Sequence, residues 1–155
     1  MKGIVILFTL AALFVGVTVC FADNPQMGTW KLNEAKSKFS PGAAKNHTVV
    51  YEASGDSIKV TVDGVDGNGA ATHNEWTGKF NGRFYAVTGD PTSDMRSYRK
   101  INSHTLALTA KKGGKVTLTG RIVVSANGKT RTVTTTGKDS KGKWVTNRAV
   151  YDKKQ

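Results

Sequence analysis

The chain has 155 residues, and its 23 lysines and arginines outnumber 11 acidic residues to give a formal net charge of +12. A charge of this size favours anionic partners such as lipid headgroups, acidic polymers or a small anionic ligand. The single cysteine, Cys20, excludes a disulfide within the chain and any metal site built from paired cysteines.

The first 22 residues have the pattern of a signal peptide. Lys2 supplies a positive start, residues 4–19 form an apolar run, and Cys20-Phe21-Ala22 places small residues at the positions that a signal peptidase reads. We predict cleavage after Ala22, which leaves residues 23–155 as a single domain with no transmembrane segment. We therefore expect an exported protein, periplasmic or secreted, and a monomer.

Residues 23–155 contain short β-branched and aromatic runs separated by turn residues, and no long amphipathic helix. The predicted strands are 27–32, 48–53, 57–63, 70–80, 83–88, 94–101, 105–111, 115–125, 129–137 and 143–152. Short links between successive strands predict an antiparallel meander, which closes to avoid bare edges. The predicted fold class is all-β: an up-and-down β-barrel of about eight to ten strands.

The strongest local signal is Asn127-Gly128, which joins two long β-branched runs and predicts a hairpin. This loop places Val124 opposite Arg131 and Ile122 opposite Val133. The register of 57–63 against 70–80 stays open, because a six-residue loop at 64–69 would put Val62 on the side of His73.

Loops of a meander alternate between the two ends of a barrel. One end, the tight-turn end, receives the short turns at 54–56, 81–82, 102–104 and 127–128. The other, the wide end, receives the longer loops at 33–47, 64–69, 89–93, 112–114 and 138–142, and ligands enter barrels at such a mouth. Lysines gather in these longer loops, and we call them the rim lysines: Lys36, Lys38, Lys45, Lys111, Lys112, Lys115, Lys138, Lys141 and Lys143.

Gly28-Thr29-Trp30, at the start of the first strand, resembles the Gly-x-Trp signature of lipocalins and the wider calycin superfamily. The chain is most similar to small bacterial exported lipocalin-like proteins. The resemblance implies a barrel in which Trp30 plugs the closed end beneath an arginine of the last strand, here Arg148. It also implies ligand carriage.

Side-chain alternation predicts which residues line the barrel. Tyr85 is expected to cover the gap left by Gly78, and Arg99 is expected to face inward with Ile101, where a buried arginine needs an anion. The predicted ligand-binding residues are Trp76, Phe80, Tyr85, Arg99, Leu108, Leu118 and Trp144. The alternative is that these residues form a packed core with no usable cavity.

Three functions remain open from the sequence. The first is an exported protein that binds an apolar or amphiphilic, anionic, fatty-acid-like molecule in the barrel. The second is a basic envelope or surface-associated protein that binds anionic polymers or lipid headgroups. The third is a small barrel enzyme, an isomerase or hydrolase using Glu75, Tyr85 and Arg99.

No cofactor is expected. No metal site is expected either, because His73 and Glu75 lack a third ligand. Specific nucleic-acid binding is not expected, because most aromatic residues occupy the alternating apolar positions of the strands and are not interleaved with basic residues on an exposed face.

Overall fold

The computed structural model describes residues 23–155, so the predicted signal peptide lies outside the described residues. Ten strands, β1 to β10, follow one another along the chain. Their bounds are Gly28–Leu32, Lys45–Ser54, Ser57–Val65, Ala71–Gly78, Asn81–Thr88, Met95–Asn102, Thr105–Lys112, Lys115–Val124, Thr130–Lys138 and Trp144–Lys153. A single 3₁₀ turn spans Glu34–Lys36. No helix in 23–155 has both the length and the apolar character needed to cross a membrane.

The strands form one closed antiparallel barrel in which each strand lies beside its neighbours in the chain. β1 closes the barrel by pairing with β10, with Leu32 opposite Tyr151. Closure gives the backbone N–H and C=O groups of both terminal strands a partner, which an open sheet would leave exposed. The predicted all-β up-and-down barrel is therefore confirmed.

The predicted hairpin register is also confirmed. Val124 lies opposite Arg131 and Ile122 opposite Val133. Gly128 has φ +71°, a left-handed conformation that glycine adopts without the steric cost paid by other residues. Below it, the Ser125 N–H donates to the Thr130 carbonyl over 2.8 Å and continues the ladder toward the turn.

The open register between β3 and β4 is resolved by a loop of odd length. At this turn β3 runs two residues further than predicted, to Val65, while β4 begins one residue later, at Ala71, and the two residues pair across 66–70. Val62 therefore lies opposite Asn74 and Val60 opposite Trp76, which keeps the apolar residues of β3 on the inner face. Asp66 fixes the loop by accepting hydrogen bonds from the Asn68 and Ala70 N–H groups over 2.8 and 2.9 Å.

The N-terminal segment closes the tight-turn end. Trp30 is fully buried, and its indole N–H donates to the Gln26 carbonyl over 2.9 Å. The Gln26 side chain reaches the carbonyl of His104 in the β6–β7 turn, over 3.3 Å. Trp30 thus occupies the position that the sequence predicts for it, at the covered end of the barrel.

The arginine that accompanies Trp30 is not the predicted one. Arg131 on β9 is only 3% exposed. Its guanidinium carbon lies 4.7 Å from the Tyr51 ring centroid and 5.9 Å from that of Trp30. Arg148 lies on the outside, because it pairs with Thr134 while the neighbouring pair, Val133 and Ala149, faces the core. The predicted contact between Arg148 and Trp30 is therefore wrong.

Candidate functional site

The predicted lining residues Trp76, Phe80 and Tyr85 lie inside the barrel, where they pack against one another. Trp76 is 1% exposed, and its ring centroid lies 4.7 Å from that of Tyr98 and 5.6 Å from that of Tyr85, both edge to face. Its indole N–H donates to the Arg96 carbonyl over 2.9 Å. These rings fill the space beside one another, so this half of the barrel is a packed core.

Gly78 shows how closely these rings fit. A Cβ atom built on Gly78 would lie 2.6 Å from the Tyr85 ring and 2.7 Å from the Trp76 ring. The prediction that Tyr85 covers Gly78 is confirmed. The Tyr85 hydroxyl accepts a hydrogen bond from the Asn81 side chain over 3.0 Å, so the polar end of this residue is also engaged.

The predicted inward face of β6 is wrong. Arg99 and Ile101 are exposed, while Arg96 and Tyr98 are buried. The pairing of β6 with β7 determines which residues of β6 face inward. Tyr98 and Arg96 lie opposite Leu108 and Ala110, two inward residues of β7. Arg99 lies opposite Ala107 on the outer face.

The buried arginine of β6 has its anion within the protein. Arg96 donates to the Asp90 carboxylate over 3.1 Å and to the Asn74 side-chain oxygen over 3.2 Å. Burial alone would raise the pKa of the Asp90 carboxyl. Hydrogen bonds from Ser93 and Thr92, together with the charge of Arg96, outweigh burial and hold that pKa below its ordinary value.

The weak catalytic candidates are not brought together. Glu75 lies on the outer face of β4, where its carboxylate is 3.0 Å from the Lys59 ammonium, whereas Tyr85 is inside and Arg99 is on the outer face of β6. His73, beside Glu75, is 2.6 Å from the Asp63 carboxylate, and this hydrogen bond raises the pKa of the imidazole. Within 23–155 no three His, Cys, Asp or Glu side chains are grouped as metal ligands.

The inner wall is more accessible at the wide end. Leu108 and Leu118 face inward from β7 and β8 as predicted, and both are half-buried. Val145 on β10 is half-buried too, in a part of the wall where β8 and β9 carry the small residues Gly120 and Gly137. These half-buried apolar residues form part of the inner wall outside the fully buried core.

A second concavity at the wide end is polar. A cleft of about 660 Å³ lies between the long β1–β2 connection and the β3–β4 turn, with Glu34, Lys45, His47 and Asp66 among its lining residues. Lys45 pairs with Glu34 over 2.8 Å, and this hydrogen bond lowers the pKa of Glu34.

Trp144 is placed outside the barrel, contrary to the prediction, and is 55% exposed. It lies opposite Lys138, an outward residue of β9, and the Lys138 ammonium is 5.5 Å from the centre of the indole ring. Val116, at the start of β8 and next to the wide-end loop 112–114, is 47% exposed. The sequence does carry a signal for this, since Trp144 directly follows the lysine-rich turn Lys141-Gly142-Lys143.

The rim lysines occur in the loops of the same end of the barrel, and Lys138 contacts Trp144. In the part of the chain that the structure describes, Lys45 is the rim lysine that forms an ion pair. Lys111 lies 3.9 Å from the Phe84 ring centre, a cation–π contact that leaves its charge without a counter-ion. The wide end therefore combines uncompensated positive charge with two exposed apolar side chains.

Comparisons with known proteins do not identify a family. No protein-family model and no curated protein matches the sequence. Among solved structures, the chain is similar to a redesigned beta barrel at 11% identity and a TM-score of 0.43, over 88% of this chain and 97% of that one. A likeness at this level supports no argument, and the resemblance to lipocalins stays a prediction.

Proposed function

We propose that the wide end of the barrel binds anionic lipid headgroups, as the attachment site of an exported, envelope-associated protein. The observation on which this rests is the exposed Trp144 beside Lys138, at a turn whose Lys138, Lys141 and Lys143 form no ion pair with a described residue. Tryptophan is enriched where water meets lipid, because its ring is apolar and its N–H is polar.

The expected strength follows from the charges. A lysine or arginine close to an anionic leaflet contributes about 1 kcal/mol, and the attraction decays within a Debye length of about 10 Å at 0.1 M salt. Lys138, Lys141 and Lys143 lie in the β9–β10 turn, within a few residues of Trp144. Asp139 lies in the same turn and reduces its net charge to +2, so the turn would contribute about 2 kcal/mol, or on the order of thirtyfold in partitioning at low ionic strength.

Vesicle co-sedimentation tests the proposal. The protein is mixed with phosphatidylglycerol vesicles or with zwitterionic phosphatidylcholine vesicles, at low and at moderate salt. Binding is expected to the anionic vesicles only, with a steep loss as salt rises.

The variant K138Q/K141Q/K143Q should lose most of this binding. Its matched control, R83Q/K129Q/K154Q, removes the same charge from exposed residues at the tight-turn end and should bind nearly as wild type. Equal losses in the two variants would show that net charge alone governs association, and the proposed site would be abandoned.

Ligand carriage is a second candidate, favoured by the half-buried apolar side chains of Leu108, Leu118 and Val145 on the inner wall. An acyl chain would contact these residues while its acidic head met a lysine. The aromatic core beneath would have to open for deeper entry. Native mass spectrometry of protein purified from its producing cell tests this, because a co-purifying lipid supports carriage and repeated absence of any adduct opposes it.

A further inference from the structure

A row of arginines crosses the outer wall of the barrel, perpendicular to the strands. Arg99 on β6 lies opposite Ala107, which lies opposite Arg121 on β8. Arg121 lies opposite Thr134, which lies opposite Arg148 on β10. All three arginines are exposed and none forms an ion pair with a described residue, while Arg148 donates one hydrogen bond to the Lys36 carbonyl over 3.2 Å. We call Arg99, Arg121 and Arg148 the arginine belt.

A row of hydroxyl groups runs beside the belt, two residues nearer the wide end. Thr109, Thr119, Thr136 and Thr146 are successive cross-strand neighbours on β7, β8, β9 and β10. The Thr136 and Thr146 hydroxyls are 3.1 Å apart. Between β8 and β9 the wall is concave: Arg121, Thr119, Thr134 and Thr136 are among the residues that line a groove of about 440 Å³.

The spacing of the belt is fixed by the sheet. The Cα atoms of successive arginines are separated by two strand intervals, which corresponds to about 9–10 Å, and the flexible side chains allow the guanidinium groups to adjust around this spacing. Guanidinium groups bind carboxylates through paired hydrogen bonds, and threonine hydroxyls can donate to and accept from sugar hydroxyls. No aromatic residue lies in the belt or in the threonine row, and stacking platforms of that kind are what single-stranded nucleic acids require.

The curvature of the barrel wall favours a flexible polymer over a flat membrane as the partner of the belt. The belt runs from β6 to β10, five of the ten strands that close the barrel, so its ends point in widely different directions. A planar membrane cannot contact Arg99 and Arg148 at once, whereas a polymer can follow the curve. We propose that the arginine belt binds an acidic polysaccharide that carries one carboxylate per disaccharide, with its sugar hydroxyls against the threonine row.

Calorimetric titration with three polysaccharides tests this proposal. Hyaluronan oligosaccharides carry one carboxylate per disaccharide, polygalacturonate carries one on every sugar, and dextran is neutral. We expect hyaluronan to bind more tightly than polygalacturonate at equal carboxylate concentration, and dextran not to bind. Preference for polygalacturonate would mean that charge density decides binding and would overturn the spacing argument.

Variants locate the site. R99Q/R121Q/R148Q should weaken hyaluronan binding about ten- to a hundredfold, as expected from the loss of three exposed charge pairs. The equal-charge control R83Q/K129Q/K154Q should change it by less than about threefold. R99K/R121K/R148K should give an intermediate loss, because lysine keeps the charge without the two-pronged geometry.

Equal loss in the arginine and control variants, or full retention in the arginine variant, would contradict the belt. The arginines are exposed, so thermal unfolding should show that each variant keeps its fold. Vesicle binding by the arginine variant should persist, because the wide end is unchanged. The belt and the proposed lipid site therefore stand or fail separately.

Discussion

Replacing Gly78 by alanine tests whether the barrel interior is packed as tightly as the distances indicate. Glycine within a strand usually costs about 0.5–1 kcal/mol relative to alanine, so propensity alone predicts that the variant is more stable. The structure predicts the opposite, because the new Cβ would lie 2.6 Å from the Tyr85 ring and 2.7 Å from the Trp76 ring. Overpacking of this kind costs about 1–3 kcal/mol. The net expectation is a free energy of unfolding lowered by about 1–2 kcal/mol.

Urea unfolding of four proteins measures this cost and locates its cause. Wild type, G78A, Y85A and G78A/Y85A form a double-mutant cycle, with an unchanged m value required for each comparison. Removing the Tyr85 ring relieves one of the two close contacts of the new Cβ and leaves the one with Trp76, so G78A should cost less in the Y85A background than in wild type. A stabilising effect of G78A in the wild-type background, or the same cost in both backgrounds, would refute the packing argument.

Three further predictions concern the core and the central hairpin. D90N should lower stability by about 3 kcal/mol at neutral pH, because it leaves Arg96 buried beside a neutral group. The pKa of the Asp90 carboxyl in the folded protein lies below its unfolded value of about 3.9. Its contribution to stability is therefore full above that value and is lost as the pH falls. The melting temperature of D90N should accordingly decline less in acid than that of wild type. G128A should cost about 1 kcal/mol by urea unfolding, because its φ of +71° is unfavourable for alanine although no atom lies within 4 Å of the added Cβ. R131K should unfold at a lower urea concentration than R131M. A compact ammonium is more strongly hydrated than the guanidinium that faces Tyr51 and Trp30, so burying it among these rings costs more. The reverse order would contradict an aromatic environment for this charge.

The architecture was predictable because the turn chemistry is local. Glycine and asparagine mark the ends of short strands, and Asn127-Gly128 alone determines the pairing of β8 with β9. The β3–β4 register was not predictable, since it depends on whether the loop holds an even or an odd number of residues, and the structure pairs Val65 with Ala71 across five. Asp66 stabilises this loop by accepting hydrogen bonds from two of its N–H groups.

The inner face was predictable where apolar residues alternate without conflict, as at Leu106 and Leu108. The inner face of β6 was not predictable, because Met95 and Ile101 suggest that one face of the strand is buried and Tyr98 suggests the other. Tyr98 prevails because its ring fits against Trp76, a contact between strands that are not neighbours in the sheet. The prediction for Trp144 fails for a similar reason, because a large aromatic side chain favours a core position and the structure places it outside the barrel.

The arginine belt depends on the register of β6 to β10 taken together. Arg99, Arg121 and Arg148 are far apart in the sequence, and an error of one residue at any hairpin would move an arginine to the inner face. Alternation within one strand predicts that Thr132, Thr134 and Thr136 share a face. Only the assembled sheet shows which arginines lie beside them.

The fluorescence of Trp144 tests the proposed lipid attachment most directly. The chain has three tryptophans, and Trp30 and Trp76 are 0% and 1% exposed, so a change at the lipid surface should come from Trp144. On adding phosphatidylglycerol vesicles at low salt, the emission should shift to shorter wavelength and be quenched by lipids brominated near the headgroup end of the acyl chain. W144F should show neither effect. Emission that stays unchanged while the protein co-sediments with the vesicles would place the membrane contact elsewhere and contradict the account.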